Sequence, residues 1–395
     1  MSENDISTLI QSRRMTPFQV VVVGICIVIS MLDGFDVLAM AFTAPVITRE
    51  WALDPTALGA LFSAGLAGMA IGAVLLSPLA DRYGRRASVL FCLALMTVGM
   101  LLSAFAQNTA QLFTLRLVTG LGIGSVLATI NAIVAEYSST RRRDFCIGMM
   151  TMGYSVGATL GGLISVVLLS NYGWQSVFLL GGILSTILAV VVAVVMPESV
   201  DFLLARRPAG ALDRINHVLR RLRLAPLESL PPVHAEVSRR SGYRTMFAAD
   251  MRTPTLLICA GFFLAMMTYY FLLNWIPKIL VDLGLTVEGG ISGSVVMNVA
   301  GVTGGLLLGW NTHRFGLGRL TAAYMVLCVA SVVVFGYVPA STVPLLLMVV
   351  VIGFFMNGVI VGLYALAATV FPATVRATGT GLALSGLRKA FGAHV

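Results

Sequence analysis

The chain has 395 residues, of which 58% are hydrophobic and 11% are charged, and its mean hydropathy is +0.92. Soluble domains carry about 25% charged residues, so this composition excludes a soluble globular protein and predicts a membrane protein with many spanning helices. The net charge of +9 does not indicate a nucleic-acid partner, because the arginines lie in short loops between apolar segments, where they fix topology.

The chain begins with a polar stretch, MSENDISTLIQSRRMT, that carries both acidic and basic residues. It lacks the basic region and cleavage site of a signal peptide, so we expect the first span to be retained. The five cysteines are scattered, without a CxxC pair or a His/Cys cluster. They predict neither a disulfide framework nor a metal site.

The first apolar segment, 18–47, contains two carboxylates, Asp33 and Asp36, in the sequence MLDGFDVLAM. A carboxylate at bilayer depth costs about 2.5–3.5 kcal/mol on insertion. The spacing of three residues places both acids on one face of a helix. Two acids facing the interior of a helix bundle can hold protons, contact a cation or pair with a buried arginine, and each of these roles indicates transport.

Further apolar segments follow along the chain, each long enough to cross the hydrocarbon core. The predicted complete spans are 18–47, 57–80, 87–106, 110–136, 146–170, 174–196, 254–281, 291–311, 319–339 and 343–370. An eleventh span begins near Thr378 and reaches the last residue. We therefore expect an all-α membrane protein with about 11 spans, whose last helix is partial and which lacks a twelfth.

The basic residues are distributed unevenly between the loops. Most of the 26 lysines and arginines fall in alternate loops, on the side that also holds Arg13 and Arg14, whereas the loops near Gln107 and Tyr172 carry none. This bias predicts a cytoplasmic N-terminus. The long polar segment 197–253 falls on the same side, and we expect its amphipathic pieces to lie on anionic headgroups. It separates an N-terminal six-helix half, 1–196, from a C-terminal half, 254–395.

The two halves contain a repeat. GAVLLSPLADRYGRR begins at Gly72 and GGLLLGWNTHRFGLGR at Gly304, and each follows the second span of its half. The offset of 232 residues aligns Gly84 with Gly316. Internal repeats of this kind are how many secondary transporters are built.

Five motifs resemble those of known transporters. LADRYGRRASVL is similar to the loop signature G-x-x-x-D-R-x-G-R-R of the major facilitator superfamily, with Ser77 in place of the first glycine. RLVTG, which begins at Arg116, resembles a second superfamily motif. MPESVDFLL, which follows span six, resembles the P-E-S exit found in the sugar- and organic-acid-transporting branches. DGFD in span one and YALAATVFPATVRATGTG resemble motifs of the aromatic acid:proton symporter family.

The resemblance implies the major facilitator fold, with two six-helix halves of which the second is incomplete here. The charged groups of the loop signature lie at helix ends, where they can bias one of two rocking states. We expect a conformational latch formed by Asp81, Arg82, Gly84, Arg85 and Arg86, with His313 and Arg314 at the equivalent position of the second half.

Arg116 and Asp33 are expected at similar membrane depth when each is measured from its own end of the span at about 1.5 Å per residue, so a contact between them is allowed. Glu136 lies about 30 Å from Arg116 along the same helix, near the cytoplasmic mouth. The candidates for proton coupling and substrate binding are Asp33, Asp36, Arg116 and Glu136, joined through the resemblance by Arg376 and Arg388.

The aromatic run that opens the second half, together with Asn274, could stack on an aromatic ring. The candidate lining residues are Tyr269, Tyr270, Asn274, Trp275, Asn298, Asn357 and Tyr364. A belt of aromatic residues at the membrane interface explains Tyr269, Tyr270 and Trp275 equally well.

The sequence therefore predicts a proton-coupled importer of a small organic acid, and the resemblance favours an aromatic carboxylate. A symporter for sugars, sugar acids or dicarboxylates, or a membrane sensor that does not transport, stays open. An intramembrane protease is disfavoured, because its paired aspartates lie on two helices. No G-x-x-x-x-G-K-[ST] motif is present, so we expect the proton gradient as energy source and no cofactor or metal. We expect a monomer in the inner-membrane bilayer, with the acid and H⁺ as its partners.

Overall fold

The computed structural model describes residues 11–230 and 249–370, and their regular secondary structure is helical. The helices are α1 Pro17–Glu50, α2 Pro55–Leu75, α3 Ser77–Tyr83, α4 Arg85–Ser103, α5 Thr109–Tyr137, α6 Arg143–Tyr172, α7 Gln175–Val195, α8 Val200–Arg206, α9 Ala211–Arg221, α10 Ala249–Asp282, α11 Val287–Phe315, α12 Leu317–Phe335 and α13 Thr342–Val370.

Within the described ranges, ten helical segments are long and apolar enough to cross a membrane. They coincide with the ten predicted complete spans to within a few residues, so the all-α membrane fold is confirmed. α2 and the start of α3 together form one of these segments, Pro55–Ala80. The predicted eleventh span, from Thr378, lies outside the described residues.

Local capping fixes where several spans begin. Asp54 accepts a hydrogen bond from the backbone N–H of Ala57 at 2.9 Å, and Pro55 occupies the first helical position of α2. Asn108 caps α5 in the same way, accepting from the N–H of Gln111 at 2.9 Å. These side chains satisfy N–H groups that the first turn of a helix leaves without partners.

α2 and α5 pack closely because glycines occupy their contact. A Cβ on Gly72 of α2 would overlap the backbone of Leu121, and a Cβ on Gly124 of α5 would overlap the backbone of Met69. Small residues allow this approach between helices in lipid, where packing rather than the hydrophobic effect holds helices together.

The second half repeats this arrangement at the predicted offset. A Cβ on Gly304 of α11 would overlap the backbone of Phe354 on α13, as Gly72 does with α5. Gly84, before α4, has φ of 108°, and Gly316, before α12, has φ of 81°. The repeat in the sequence is therefore also a repeat in local structure.

The chain divides into two compact units. Within the described residues, the first comprises 11–39, 51–158 and 168–230, and the second comprises 40–50, 159–167 and 249–370. One end of α1 and a short stretch of α6 thus group with the second unit. The predicted boundaries of the two halves and the linker stay a prediction.

The beginning of the predicted linker is folded. The apolar face of α9 is buried, with Ile215 and Leu219 almost fully covered by protein. Asn216 also fixes the chain that follows, since its amide donates to the carbonyl of Leu227 at 3.0 Å and its oxygen accepts from the Leu227 N–H at 2.7 Å. The expectation that this face lies on headgroups is therefore wrong, because protein already covers its apolar side chains. α10 begins at Ala249, inside the segment predicted as linker.

Candidate functional site

The two carboxylates of α1 are fully buried in the first unit. Asp33 is 0% exposed and Asp36 is 1% exposed. None of their four carboxylate oxygens has a hydrogen-bond partner among the described residues. Burying a carboxylate without such partners is costly, so this arrangement indicates groups kept for function.

Asp36 occupies space that a glycine leaves open. A Cβ on Gly181 of α7 would lie 3.0 Å from Asp36 Oδ1 and 3.1 Å from the ring of Phe35, and it would overlap the methyl group of Met100. The carboxylate thus faces α7 at a point where that helix has no side chain.

Arg116 of α5 lies close by in the same unit and is 4% exposed. Its Nη2 donates to neutral acceptors: to Met100 Sδ at 2.9 Å, to Ser103 Oγ at 3.3 Å and to Thr119 Oγ1 at 3.2 Å. The guanidinium carbon lies 4.7 Å from the centre of the Phe178 ring, in a cation–π contact. Arg116 Nε has no hydrogen-bond partner in the described part of the chain.

Asp36 and Arg116 interact electrostatically, but no direct ion pair within 4.0 Å joins them in the described ranges. The contact that the sequence allowed between Asp33 and Arg116 is not formed, and Asp33 interacts with Asp36 instead. The reason is helical rotation: residues three apart differ by about 60° in direction and about 4.5 Å in height, so the two acids do not meet the same neighbours.

An aromatic column extends from Arg116 to Trp51 within the first unit. Phe178 packs edge-on against Trp174 with ring centres 5.8 Å apart, and Trp174 packs edge-on against Trp51 at 5.4 Å. Trp174 is 1% exposed. Trp174 therefore packs against the Phe178 ring that contacts the Arg116 guanidinium, and this packing stabilises the position of the ring.

Sequence reasoning missed the residues that surround Asp36 and Arg116. They are Met100, Ser103, Thr119, Phe178 and Gly181. The available signal was weak: a serine and a threonine within apolar spans, and a Gly-Gly pair in α7.

A second charged cluster lies at the end of the first unit where α4 begins and α5 ends. Arg85 Nε forms an ion pair with Glu136 Oε1 at 2.8 Å. Ser199 Oγ, which follows α7, donates to Glu136 Oε2 at 2.5 Å. The structure therefore places Glu136 with Arg85 of the predicted latch, and not with Asp33 and Asp36.

Glu198 joins the same cluster and caps α4. Its Oε1 accepts from the backbone N–H of Arg86 at 3.1 Å and from that of Ser199 at 2.9 Å. The Arg86 guanidinium donates to the carbonyl of Ala193. A Cβ on Gly84 would overlap the Glu198 carboxylate, so the glycine of the loop signature leaves room for this cap. The P-E-S segment, through Glu198, is thus hydrogen-bonded to the loop signature at Arg86.

Two other latch candidates, Arg82 and Arg314, contact a neighbouring aromatic ring instead of the Glu136 cluster. Arg82 is exposed and its guanidinium lies 5.4 Å from the centre of the Tyr83 ring. In the second half, the Arg314 guanidinium likewise lies 5.5 Å from the centre of the Phe315 ring. Asp81 is in α3 and His313 is in α11, and their side chains are outside the described part of the structure.

The candidate lining residues on α10 cluster with one another. The rings of Tyr269 and Tyr270 meet edge-on at 5.5 Å, and the Asn274 amide donates to the Tyr270 carbonyl at 2.8 Å. Trp275 stacks on Phe271 at 6.0 Å. Phe271 is 53% exposed, so this stack lies at the surface of the second unit.

The candidates on α11 and α13 form separate contacts. Tyr364 meets Phe262 of α10 edge-on at 5.1 Å. The Asn357 amide nitrogen lies 2.8 Å from where a Cβ on Gly301 would be. The Asn298 amide donates to the carbonyl of Ser294 in its own helix at 2.9 Å. Arg376 and Arg388 lie outside the described residues. No group of His, Cys, Asp or Glu within the described ranges could hold a metal ion.

The sequence profile described as the Major Facilitator Superfamily matches residues 25–390 of this chain. The chain belongs to the major facilitator superfamily. The structure of its first unit agrees with this membership, since the loop signature, the Arg116 motif and the P-E-S exit lie in adjoining helices and loops of one unit.

Within the superfamily, the chain is similar to transporters of aromatic acids. It is 31% identical to a 4-hydroxybenzoate transporter, PcaK, of Pseudomonas aeruginosa over 95% of this chain and 84% of that protein. It is 32% identical to a gallate transporter of Pseudomonas putida, with the same coverage. A benzoate transport protein of Acinetobacter baylyi is 25% identical over 97% of this chain and 83% of that protein.

Solved structures share the superfamily fold. A bacterial homolog of the human lysosomal transporter Spinster has a TM-score of 0.71 at 16% identity, covering 94% of this chain and 81% of that chain. The xylose transporter XylE from E. coli has a TM-score of 0.71 at 16% identity, covering 93% and 86%. At these identities the likeness shows the fold alone.

Proposed function

We propose that this chain is a proton-coupled secondary transporter that imports small aromatic carboxylates by alternating access. Identity of 31–32% to 4-hydroxybenzoate and gallate transporters along nearly the whole chain supports the substrate class. The observation that carries the coupling is the state of Asp36: it is buried, has no hydrogen bond in the described structure, and lies near Arg116 without an ion pair.

The proposed coupling follows from charge neutrality. A carboxylate substrate brings a negative charge into a site that already holds two acids and one arginine. Protonation of Asp36 removes one negative charge, so the charge of Arg116 is no longer offset by that carboxylate and can attract the substrate carboxylate. Proton and anion then enter together, and the loaded site changes sides with less charge to bury. No ATP or bound cofactor is needed, because the proton gradient supplies the energy.

The cluster around Glu136 is proposed to act on the rocking step. Its bonds join the start of α4, the end of α5 and the segment after α7. Such a cluster stabilises whichever conformation keeps these three elements together. It would therefore affect the rate of conformational change more than the affinity for substrate.

We propose that the protein resides in the inner membrane as a monomer, with its N-terminus and the segment after α7 in the cytoplasm. The arginine bias between loops supports this topology. Single cysteines introduced at exposed positions such as Ala205 and Ala225, in a background without the five native cysteines, should resist an impermeant thiol reagent added to intact cells. A cysteine at exposed Gln107 should react; the opposite pattern would overturn the topology.

The substrate proposal is tested by uptake into proteoliposomes. Labelled 4-hydroxybenzoate, gallate and benzoate are offered together with xylose and a dicarboxylate such as succinate, each with and without an inward proton gradient. We expect gradient-dependent uptake of aromatic acids alone. Uptake of xylose or succinate in preference would support the alternative symporter classes, and binding of an aromatic acid without uptake would support a sensor.

A further inference from the structure

Arg116 is held by groups that carry no charge, although two buried carboxylates lie nearby. Arginine buried in protein normally pairs with a carboxylate, often through two parallel hydrogen bonds. Here Nη2 donates to Met100, Ser103 and Thr119 instead, and Phe178 lies beneath the guanidinium. We call these four residues the neutral cradle.

The two hydroxyl groups of the cradle are fixed as acceptors. Ser103 Oγ donates its proton to the carbonyl of Gly99 at 2.6 Å, and Thr119 Oγ1 donates to the carbonyl of Leu115 at 2.9 Å. Because each hydroxyl has one proton and donates it to a carbonyl, its oxygen lone pairs are available to accept a hydrogen bond from Arg116. A Cβ on Gly99 would overlap Thr119 Oγ1, so a glycine at this position admits the threonine hydroxyl.

The cradle also fixes the separation between Arg116 and Asp36. Phe178 and Gly181 are three residues apart on α7 and therefore share one face. The guanidinium lies over Phe178, whereas the Asp36 carboxylate faces Gly181. This offset corresponds to a rise of about 4.5 Å along the helix. Met100 touches both places, because its sulfur accepts from Arg116 and its methyl group lies against Gly181.

The charged and titratable groups around Asp36 are few. Asp33 interacts with it from the same helix, and Arg116 interacts with it from α5. α4 and α7 contribute Met100 and Gly181, which are neutral. α6 packs against Gly34 through the backbone of Tyr154, whose phenol is the titratable group at this contact. Arg116 is therefore the positive charge whose distance from Asp36 affects how readily that carboxylate binds a proton.

We propose that the neutral cradle keeps Arg116 from closing a direct ion pair with Asp36, and that Ser103 and Thr119 are positioning residues which set the pH range of proton-coupled transport. The proposal rests on the proposed function. An arginine in direct contact favours the ionised carboxylate. With the guanidinium held apart, Asp36 can take up and release a proton without first breaking a bidentate pair.

Removal of the cradle hydroxyls should let Arg116 move to Asp36. In Thr119→Val, Nη2 loses one of its two hydroxyl acceptors, and in the double variant Ser103→Ala/Thr119→Val it loses both. Each loss strengthens the relative attraction of the Asp36 carboxylate. Transport that needs a protonated Asp36 should then require a lower pH. We expect the midpoint of the pH profile to move to lower pH by about one unit or more, the lower end of the effect of a close opposite charge.

The measurement is counterflow of labelled 4-hydroxybenzoate in proteoliposomes at equal internal and external pH, so that no proton gradient acts as a driving force. Thr119→Ser keeps the hydroxyl and should restore the original midpoint. Thr114→Val is the matched control. Thr114 lies on the same helix, is exposed, and donates to the carbonyl four residues back at 3.0 Å, and it is not one of the acceptors of Arg116. It should leave the profile unchanged.

A lower maximal rate with an unmoved midpoint in Thr119→Val would overturn the cradle proposal, because a merely structural role predicts that result. If the double variant does not elute as a folded protein in detergent, the comparison of Thr119→Val with Thr119→Ser decides. Failure of the wild-type protein to exchange substrate at any pH would instead refute the proposed function, so the two failures are distinguishable.

Discussion

Asp36 and Arg116 are buried in the same unit and interact electrostatically, yet no ion pair joins them in the described structure. Arg116 donates to Met100, Ser103 and Thr119, and Asp36 faces the bare backbone of Gly181. The pair is thus close enough to influence each other's charge and separate enough for each to bind another partner. This is the property that coupling a proton to an anion requires.

The first prediction concerns the two acids. Asp36→Asn should lower proton-driven accumulation by about 5- to 150-fold, the range of typical coupling free energies, while the protein still reaches the membrane. Asp33→Asn should also impair uptake, because a buried carboxylate without hydrogen bonds is kept for function. Initial uptake rates normalised to membrane protein provide the measurement. Near-normal accumulation in both variants would exclude this pair as the coupling site.

The second prediction concerns Gly181. In Gly181→Ala the new methyl group meets Asp36 Oδ1, Phe35 and Met100, so we expect the carboxylate to be displaced and uptake to fall severalfold. Gly24→Ala is the control, because nothing lies within 4 Å of a Cβ at that position of α1. Both variants are compared by uptake and by thermal stability in detergent. Equal uptake in the two variants would show that the space at Gly181 has no functional role.

The third prediction concerns the cluster at Glu136. Arg85→Ala breaks its ion pair with Glu136 and should lower the maximal rate of transport by about three- to tenfold through a shift in the rocking equilibrium. The half-saturating substrate concentration should change much less. Glu136→Gln should act in the same direction, and the double variant should be no slower than the worse single one. A loss of affinity with an intact maximal rate would argue against a latch.

The fourth prediction compares the two repeat glycines. Gly84 and Gly316 both have positive φ, at 108° and 81°, so alanine at either position should cost about 1–3 kcal/mol of backbone strain. At Gly84 the added methyl group also meets the Glu198 carboxylate, whereas at Gly316 it meets nothing within 4 Å. Gly84→Ala should therefore lower the melting temperature in detergent more than Gly316→Ala. Equal losses would mean that the Glu198 cap adds no stability.

Much of the fold could be predicted from the sequence because the signals are local. Apolar length predicts the spans, and the offset between Gly84 and Gly316 predicts two loops with the same conformation. Asp33 and Asp36 stand out because charge is rare within a span. Each of these signals depends on a few neighbouring residues, so one sequence is enough to detect it.

The arrangement of the site could not be predicted in the same way. Which acid faces Arg116 depends on the rotation of α1 against α5 and α7, and periodicity does not fix that rotation. Ser103 and Thr119 are ordinary small polar residues until packing brings them to Arg116. The sequence does not reveal that Glu136 pairs with Arg85, because the two residues are distant along the chain. The buried face of α9 has the same amphipathic pattern as a membrane-surface helix, and only tertiary packing distinguishes them.

The central claim is that Asp36 couples proton entry to the uptake of an aromatic carboxylate. The most direct test is accumulation of labelled 4-hydroxybenzoate against its gradient in proteoliposomes with an inward proton gradient. Protein-free liposomes must be subtracted, since the neutral acid crosses bilayers unaided. We predict protein-dependent accumulation in the wild type that a protonophore abolishes and that Asp36→Asn lowers by at least about fivefold. Accumulation by Asp36→Asn equal to the wild type, and equally sensitive to the protonophore, would contradict the account.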